Sequence, residues 1–399
     1  MFNFNKLSIK SPLLPCLFII SLIVTSVELD IIVPSFVEMK NYFDTNSSKI
    51  QFLVAINFIG FFLGSIISGP LSDKYGRRRI LVFGYSVFLL GSLGCVVSET
   101  LNWIIISRFI QGIGAATPAV IIFVMISENF SQEKSLSLYG IMNCVLTLFT
   151  SVAPIAGGFI NNKYGWEGNF TTILILCFIA WLLIIILLPD ERNLKHKFSS
   201  ILHYQNLLKS STFLKLSIVP SLLYASYMSF TASAPFIYMD YFKLDITSYT
   251  LNHAATIASF SILSIFVSNI SKRIGELKTL YLSVILVVLG STSLLMNSFY
   301  LFEYSYLYFT FSMCLFCAGF ALSYPILFYY SLEVKPESKG GASSLIMSMR
   351  ALIVGVATNL LCVLFNGKIY ITSTIIFFLS ILSLILISFI LKEVKFKIQ

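Results

Sequence analysis

Four charged residues interrupt a chain that is otherwise almost continuously apolar over long runs: Glu28, Asp30, Arg108 and Arg350. A charge inside a membrane-spanning run is costly, so each marks a functional candidate. Asp30 lies about eight residues, roughly 12 Å at 1.5 Å per residue, from the external end of its helix. Arg108 enters from the same side to a comparable depth. A carboxylate and a guanidinium at matched depth can pair, which lowers the cost of burying either. Releasing that pair when a proton or a cationic substrate binds would couple the two events. Glu28 is two residues from Asp30, about 200° around a helix, so the two are expected on different faces. Arg350 lies about eight residues into its span, where it either lines a cavity or snorkels to the surface.

A second group of residues shapes rather than reacts. Pro154, Gly157 and Gly158 lie in one apolar run, where proline bends a helix and glycine lets helices approach closely. They read as a hinge or a tight helix interface. Tyr227, Phe230 and Tyr238 are expected as an aromatic cavity wall for flat or cationic ligands. Asn57, Asn143 and Arg350 are further candidates for a substrate cavity. His253 reads as a polar packing residue. Cys314 and Cys317 form a CxxC with no histidine near in sequence, so neither a metal site nor a cofactor is expected. No GxSxG, HExxH or GxxxxGK[ST] occurs, which argues against a hydrolase, a zinc protease and an ATP-driven pump.

These residues must be positioned by membrane helices. The chain is 57% apolar and 11% charged, whereas the surface of a soluble globule needs roughly 25% charged residues. Apolar runs divide it into twelve spans, at about 13–37, 50–70, 80–98, 103–126, 137–160 and 170–188, then 214–239, 250–270, 280–298, 305–330, 343–365 and 371–391. The expected architecture is an all-α polytopic membrane protein with two six-helix bundles, 1–189 and 213–399. A cytoplasmic linker at 190–212 joins them, with a surface-lying helix near 200–208. Of the 27 Lys and Arg residues, 20 fall on the side of the termini and 5 on the other. That asymmetry places both termini in the cytoplasm and removes the need for a nucleic-acid partner. An internal repeat supports the division: Ser72–Leu81 aligns with Ser271–Leu280, half the chain apart, and each joins the second and third spans of its half.

The motifs resemble those of the major facilitator superfamily, and within it the twelve-helix drug:proton antiporters of the bicyclomycin-resistance (Bcr/CflA) type. Gly69, Leu71, Asp73, Lys74, Gly76, Arg77 and Arg78 match the first-loop signature. Arg108, Gln111, Gly112, Gly114, Ala115 and Ala116 match the fourth-helix motif. Pro154, Gly157 and Gly158 match the antiporter motif, with Ala153 where many members have glycine. Asp30 before Val33 and Pro34, the run Ser233–Phe236 and the run Gly341–Ser344 are similar to the subfamily. Two features depart from it. Trp166–Phe170 stands in place of an aromatic–Arg–aromatic cluster, and Glu28 stands beside Asp30.

The resemblance implies a proton-coupled transporter of the inner membrane, working by alternating access and driven by the proton gradient. Its expected partners are a small-molecule substrate, protons and the lipid bilayer, and it is expected to be monomeric. Asp30 would be alternately protonated, with Arg108 as its coupling partner. Asp73 would latch the cytoplasmic side against the start of the eleventh helix, near Gly340–Ser343, braced by Arg77 with Glu128 or Glu133. Export of hydrophobic or cationic drug-like compounds is the first reading. A metabolite transporter for an amino acid, nucleoside or siderophore is the second, and a non-transporting receptor or scaffold the third.

Overall fold

Hydrocarbon offers the backbone no hydrogen-bond partners, so a spanning chain of this composition must satisfy its peptide groups within helices. The computed structural model describes residues 13–130, 132–188, 201–299, 306–334 and 339–398, and every regular element among them is helical. In chain order the helices are α1 (Leu13–Ile32), α2 (Phe36–Tyr42), α3 (Ser47–Tyr75), α4 (Arg77–Val97), α5 (Leu101–Asn129), α6 (Gln132–Leu187) and α7 (Ile201–Leu208). There follow α8 (Ser211–Pro235), α9 (Ile246–Ile274), α10 (Glu276–Phe299), α11 (Tyr306–Glu333), α12 (Lys339–Leu364) and α13 (Ile369–Ile398).

The α1 and α2 helices form one span bent by a short 3-10 turn at Val33–Ser35, where Pro34 withholds a backbone donor. The α8 helix is likewise prolonged past Pro235 by a π-helical segment, Phe236–Tyr241. Spans expected separately at 137–160 and 170–188 are joined. The chain stays helical through α6 except at Gly165, whose φ of 71° and ψ of −176° turn it without a loop. The predicted surface helix near 200–208 corresponds to α7, whose Leu207 is buried with Phe213, Ala342 and Ile346.

Two bundles are related by the half-chain repeat, and the backbone shows this better than the sequence does. Among the described residues the positive-φ positions are Asp44, Gly76 and Gly165 in the first half and Lys243, Gly275 and Gly367 in the second. Each pair is separated by about half the chain. Gly76 (φ 95°, ψ 143°) and Gly275 (φ 88°, ψ 149°) share one backbone shape, and each donates its N–H to a serine carbonyl, Ser72 or Ser271. The caps repeat as well. Asn46 accepts the N–H of Lys49 at the start of α3, and Asp245 accepts those of Thr247 and Ser248 at the start of α9. Hydrogen bonds from Ser248 and these amides hold the Asp245 carboxyl below its usual range.

The bundles meet along two seams that are themselves repeat-related. On one, α3 meets α12, where the Ser65 and Ser348 hydroxyls are 2.8 Å apart and Ser344 donates to the Ser65 carbonyl. On the other, α6 meets α9, where the Ser151 and Ser261 hydroxyls are 2.9 Å apart. Small residues permit this closeness, since apolar attraction does not drive helices together in lipid. Gly158 sits on this second seam, where a Cβ would lie 2.7 Å from the Thr250 methyl, whereas Gly157 packs α6 on α1 within the first bundle, where a Cβ would lie 2.2 Å from the Ile31 carbonyl oxygen.

Gly76 isolates backbone strain from packing, because a Cβ there would meet nothing within 4 Å. Replacing it with alanine is expected to cost about 1–3 kcal/mol, from φ alone. Thermal melting of the purified protein should show a clear fall for Gly76→Ala; an unchanged midpoint would mean that the turn relaxes freely.

Candidate functional site

A cavity of about 250 Å³ lies between the bundles and is lined by α1, α3, α5 and α6 from the first and α8, α9, α11 and α12 from the second. The α4, α10 and α13 helices stay outside its wall. Glu28, Leu29 and Asp30 all line it. Three consecutive residues sweep about 200° of a helix, so the cavity wraps around both flanks of α1. The expectation that Glu28 and Asp30 point to different flanks is compatible with both reaching the same cavity.

The charge pairing differs from the one expected. Arg108 pairs with Glu28, with Nη1 donating to Oε2 at 3.2 Å, and not with Asp30. Both partners are buried. Arg108 also donates to Gln111, whose amide donates to Ser92 at 2.8 Å, while the amide of Asn57 donates to the Arg108 carbonyl at 3.2 Å. Residues on α1, α4 and α5 therefore hold the guanidinium in place, and Asn57 on α3 holds the Arg108 backbone. Depth in the membrane limited Arg108 to two candidate carboxylates, and the rotation of α1 against α5 selected Glu28. Asp30 is left buried, and among the described residues its Oδ1 has no hydrogen-bond partner and its carboxylate no ion pair within 4.0 Å.

From the second bundle, Tyr227 and Arg350 reach the cavity wall. Arg350 does not snorkel: its Nη1 donates to the Tyr324 hydroxyl at 3.1 Å and its guanidinium lies 4.8 Å from the Tyr224 ring centre. Phe230 and Tyr238 do not line the cavity. They are fully buried in a ring cluster with His253 and Phe309, in which the Tyr238 and Thr310 hydroxyls are 2.7 Å apart. The helical period explains this, because Tyr224, Tyr227 and Met228 share the cavity face and Phe230 falls on another. The side chain of Asn143 lies outside the described residues. Among the described residues, no group of three or more His, Cys, Asp or Glu side chains gathers as a metal site.

At the basic face, from which α1 starts, Asp73 is taken up by Arg77 one turn on, and Arg77 also reaches Glu128 at 2.7 Å and the Ser72 hydroxyl. Arg78 donates to the Ile185 carbonyl at 2.8 Å. Asp73 thus belongs to a brace within the first bundle, and the start of the eleventh span, against which the latch was expected, falls partly outside the described residues. The Glu133 side chain and the surroundings of Gly340 lie outside the described residues. Gly69 is buried near the end of α3.

Sequence reasoning missed the closure of the opposite face. There Lys40 forms an ion pair with Asp240, and Phe36 stacks on Phe236 with ring centres 6.4 Å apart. Both contacts join residues 200 positions apart, one residue off the spacing of Gly76 and Gly275, so nearly equivalent positions of the two repeats meet across the pseudo-twofold axis. That spacing was available in the sequence as a signal. Asn169, in the segment that departs from the family pattern, donates to the Ser35 hydroxyl at 2.6 Å and to the Gly157 carbonyl at 3.1 Å. It anchors the bend of the first span to α6.

Residues 17–358 match the family model described as "Major Facilitator Superfamily". A "Multidrug resistance protein MdtL" from Vibrio parahaemolyticus is 25% identical over 76% of this chain and 77% of its own. A "Multidrug resistance protein MdtM" from Escherichia coli is 22% identical over 83% and 82%. In fold, the xylose transporter XylE from E. coli superposes with a TM-score of 0.74 over 93% of this chain and 95% of that one, at 14% identity.

The two acids should separate in a stability measurement. Removing one partner of a buried pair costs about 3–5 kcal/mol, so Glu28→Gln is expected to lower the melting temperature markedly. Asp30→Asn should leave it unchanged or raise it. Equal losses for both variants would show that Asp30 is also paired.

Proposed function

The chain belongs to the Major Facilitator Superfamily, and from that premise we propose that it is a proton-coupled exporter of drug-like small molecules, akin to the Bcr/CflA antiporters. The superfamily makes it a multi-pass secondary transporter and not an enzyme. The observation that carries the finer reading is Asp30: a buried carboxylate in the cavity between the bundles, left without a counterion because Glu28 already serves Arg108. A carboxylate so placed lowers its burial cost by taking up a proton or a cationic group. Protonation on one side of the membrane and release on the other, in exchange for substrate, converts a proton gradient into export. The multidrug-resistance relatives support the substrate class.

On this reading the basic face is cytoplasmic by the positive-inside rule, in the inner membrane of a bacterium, and the carrier acts as a monomer. The Lys40–Asp240 pair and the Phe36–Phe236 stack close the external mouth, and the serine contacts of α3 with α12 and of α6 with α9 form the seams along which the bundles rock. Gly158 allows close approach of α6 to α9 there. Uptake of a metabolite is the second reading. It is favoured by the cavity volume, about 250 Å³, which lies below the roughly 300–1,000 Å³ typical of drug-sized sites.

Two outcomes follow. In proteoliposomes carrying a pH gradient and screened over drugs and metabolites, the unaltered protein should show substrate-dependent proton flux and Asp30→Asn should abolish it; a proton dependence that survives the substitution removes Asp30 from the mechanism. The Lys40–Asp240 pair is partly exposed, so it contributes about 0–1 kcal/mol. Lys40→Gln should shift the population toward the externally open state by no more than roughly fivefold, read from spin-label distances across that face. The double reversal Lys40→Asp with Asp240→Lys should restore the distribution, and failure to restore it would show that the ion pair is incidental.

A further inference from the structure

The cavity holds a second unpaired charge, on the other bundle. Arg350 cannot shed its proton, and among the described residues no carboxylate lies within 4.0 Å of it. Its position is fixed from two sides, by the Tyr224 ring beneath the guanidinium and by the Tyr324 hydroxyl at Nη1. These two rings continue into an aromatic wall. Phe320 lies 6.4 Å from Tyr224 and 5.6 Å from Tyr324, and Phe260 lies 4.9 Å from Phe320, centre to centre. Arg350, Tyr224, Tyr324, Phe260 and Phe320 all line the cavity that Asp30 lines from α1. The arginine is therefore a preorganised donor fork mounted on a flat apolar surface and facing free volume.

We infer that the ligand of this cavity is a small amphoteric aromatic compound, whose carboxylate or equivalent planar anion docks on Arg350 and whose ring lies on the Tyr224–Phe320–Phe260 wall. The inference rests on reading the cavity as the transport site and narrows its ligand class. A planar anion matches the guanidinium fork with paired hydrogen bonds, which a hydroxyl or a lone carbonyl does not. A cationic group on the same ligand finds Asp30 when that residue is ionised. With Asp30 protonated, Arg350 is the uncompensated charge in the cavity, and the anionic end dominates recognition. A ligand carrying only a cation would place its charge in a cavity already holding that fixed positive group. The volume of about 250 Å³ suits a single substituted ring of amino-acid size better than a larger drug.

Three probes sharing one aromatic body separate the contributions: phenylpropionate (anion), phenylalanine (both charges) and phenethylamine (cation). Equilibrium binding to the purified full-length protein should be saturable for the two carboxylates. Arg350→Gln should weaken both by roughly tenfold or more, the effect of losing a charge-assisted hydrogen bond, while phenethylamine binding stays the same or tightens. Arg350→Lys should recover only part of the loss, because it restores charge without the planar fork. Phenylalaninamide, tested on the unaltered protein, repeats the comparison without any variant and should bind as weakly as phenethylamine. Saturable binding of phenethylamine alone overturns the inference, as do carboxylate affinities unmoved by Arg350→Gln and an absence of saturable binding by both carboxylates. Binding needs no gradient, so the two ideas fail separately. Carboxylate binding without proton flux would overturn the antiport reading and leave this one standing, and proton flux driven only by cations would do the reverse.

Discussion

The pairing of Glu28 with Arg108 determines the chemistry available everywhere else in the cavity. A guanidinium at this depth cannot be neutralised by losing its proton, so the fold must supply a counterion or bear the cost of a naked charge. Glu28 supplies it, at 3.2 Å, inside a net in which Arg108 also donates to Gln111 and Asn57 donates to the Arg108 carbonyl. That assignment leaves Asp30 over. With the half-buried Arg350 included, the four charges Glu28, Asp30, Arg108 and Arg350 sum to zero, yet only one pair is made among them. The remaining acid and base are carried by different bundles, with the cavity between them. A neutral set left half unpaired is held at a cost, and a proton or a ligand in the cavity relieves it.

The half-chain repeat supplies the frame but not this chemistry. Turns, caps and helix contacts recur at a spacing of about half the chain, as in Gly76 with Gly275 and Asn46 with Asp245. Backbone geometry is preserved because each turn requires a positive φ or a capped amide wherever it occurs. The side chains facing the cavity have diverged. The first bundle contributes the carboxylates of α1, and the second contributes rings from α8, α9 and α11 together with Arg350. Where the axis itself passes, positions one residue off repeat equivalence touch each other, at Phe36 with Phe236 and at Lys40 with Asp240. A substrate between two unlike walls meets the acids, set among Phe58, Phe61 and Phe123, on one side and an aromatic–guanidinium surface on the other.

The spans could be read from the sequence because hydropathy is set residue by residue, and a run of apolar side chains has few other destinations. Depth was legible for the same reason, which is why Glu28, Asp30 and Arg108 were already expected near one level. Rotation was not. Choosing between Glu28 and Asp30 as the partner of Arg108 depends on how α1 sits against α5, a packing outcome that no local pattern encodes. The same limit misplaced Phe230 and Tyr238. In a chain with 37 phenylalanines and 20 tyrosines, an aromatic residue does not announce whether it faces lipid, core or cavity. Arg350 was open between surface and cavity because a long side chain can reach either, and it took Tyr224 and Tyr324 to fix it.

The exposure of each ion pair also sorts the fixed parts from the moving ones. Glu28 and Arg108 have side chains only 4% and 1% exposed, and separating such a pair would cost about 3–5 kcal/mol each time. The pair lies within one bundle, so rocking of the bundles never needs to separate it. Asp73 and Arg77, braced by Glu128, are likewise internal to the first bundle. Lys40 and Asp240, by contrast, bridge the bundles and are 21% and 36% exposed. Water can replace each partner there, and the net contribution falls to about 0–1 kcal/mol. A carrier that must open and close in every cycle needs its inter-bundle contacts to be weak and its intra-bundle contacts to be strong. The serine contacts, the ring stack and the partly exposed Lys40–Asp240 pair between the bundles meet the first condition, and the buried Glu28–Arg108 pair meets the second.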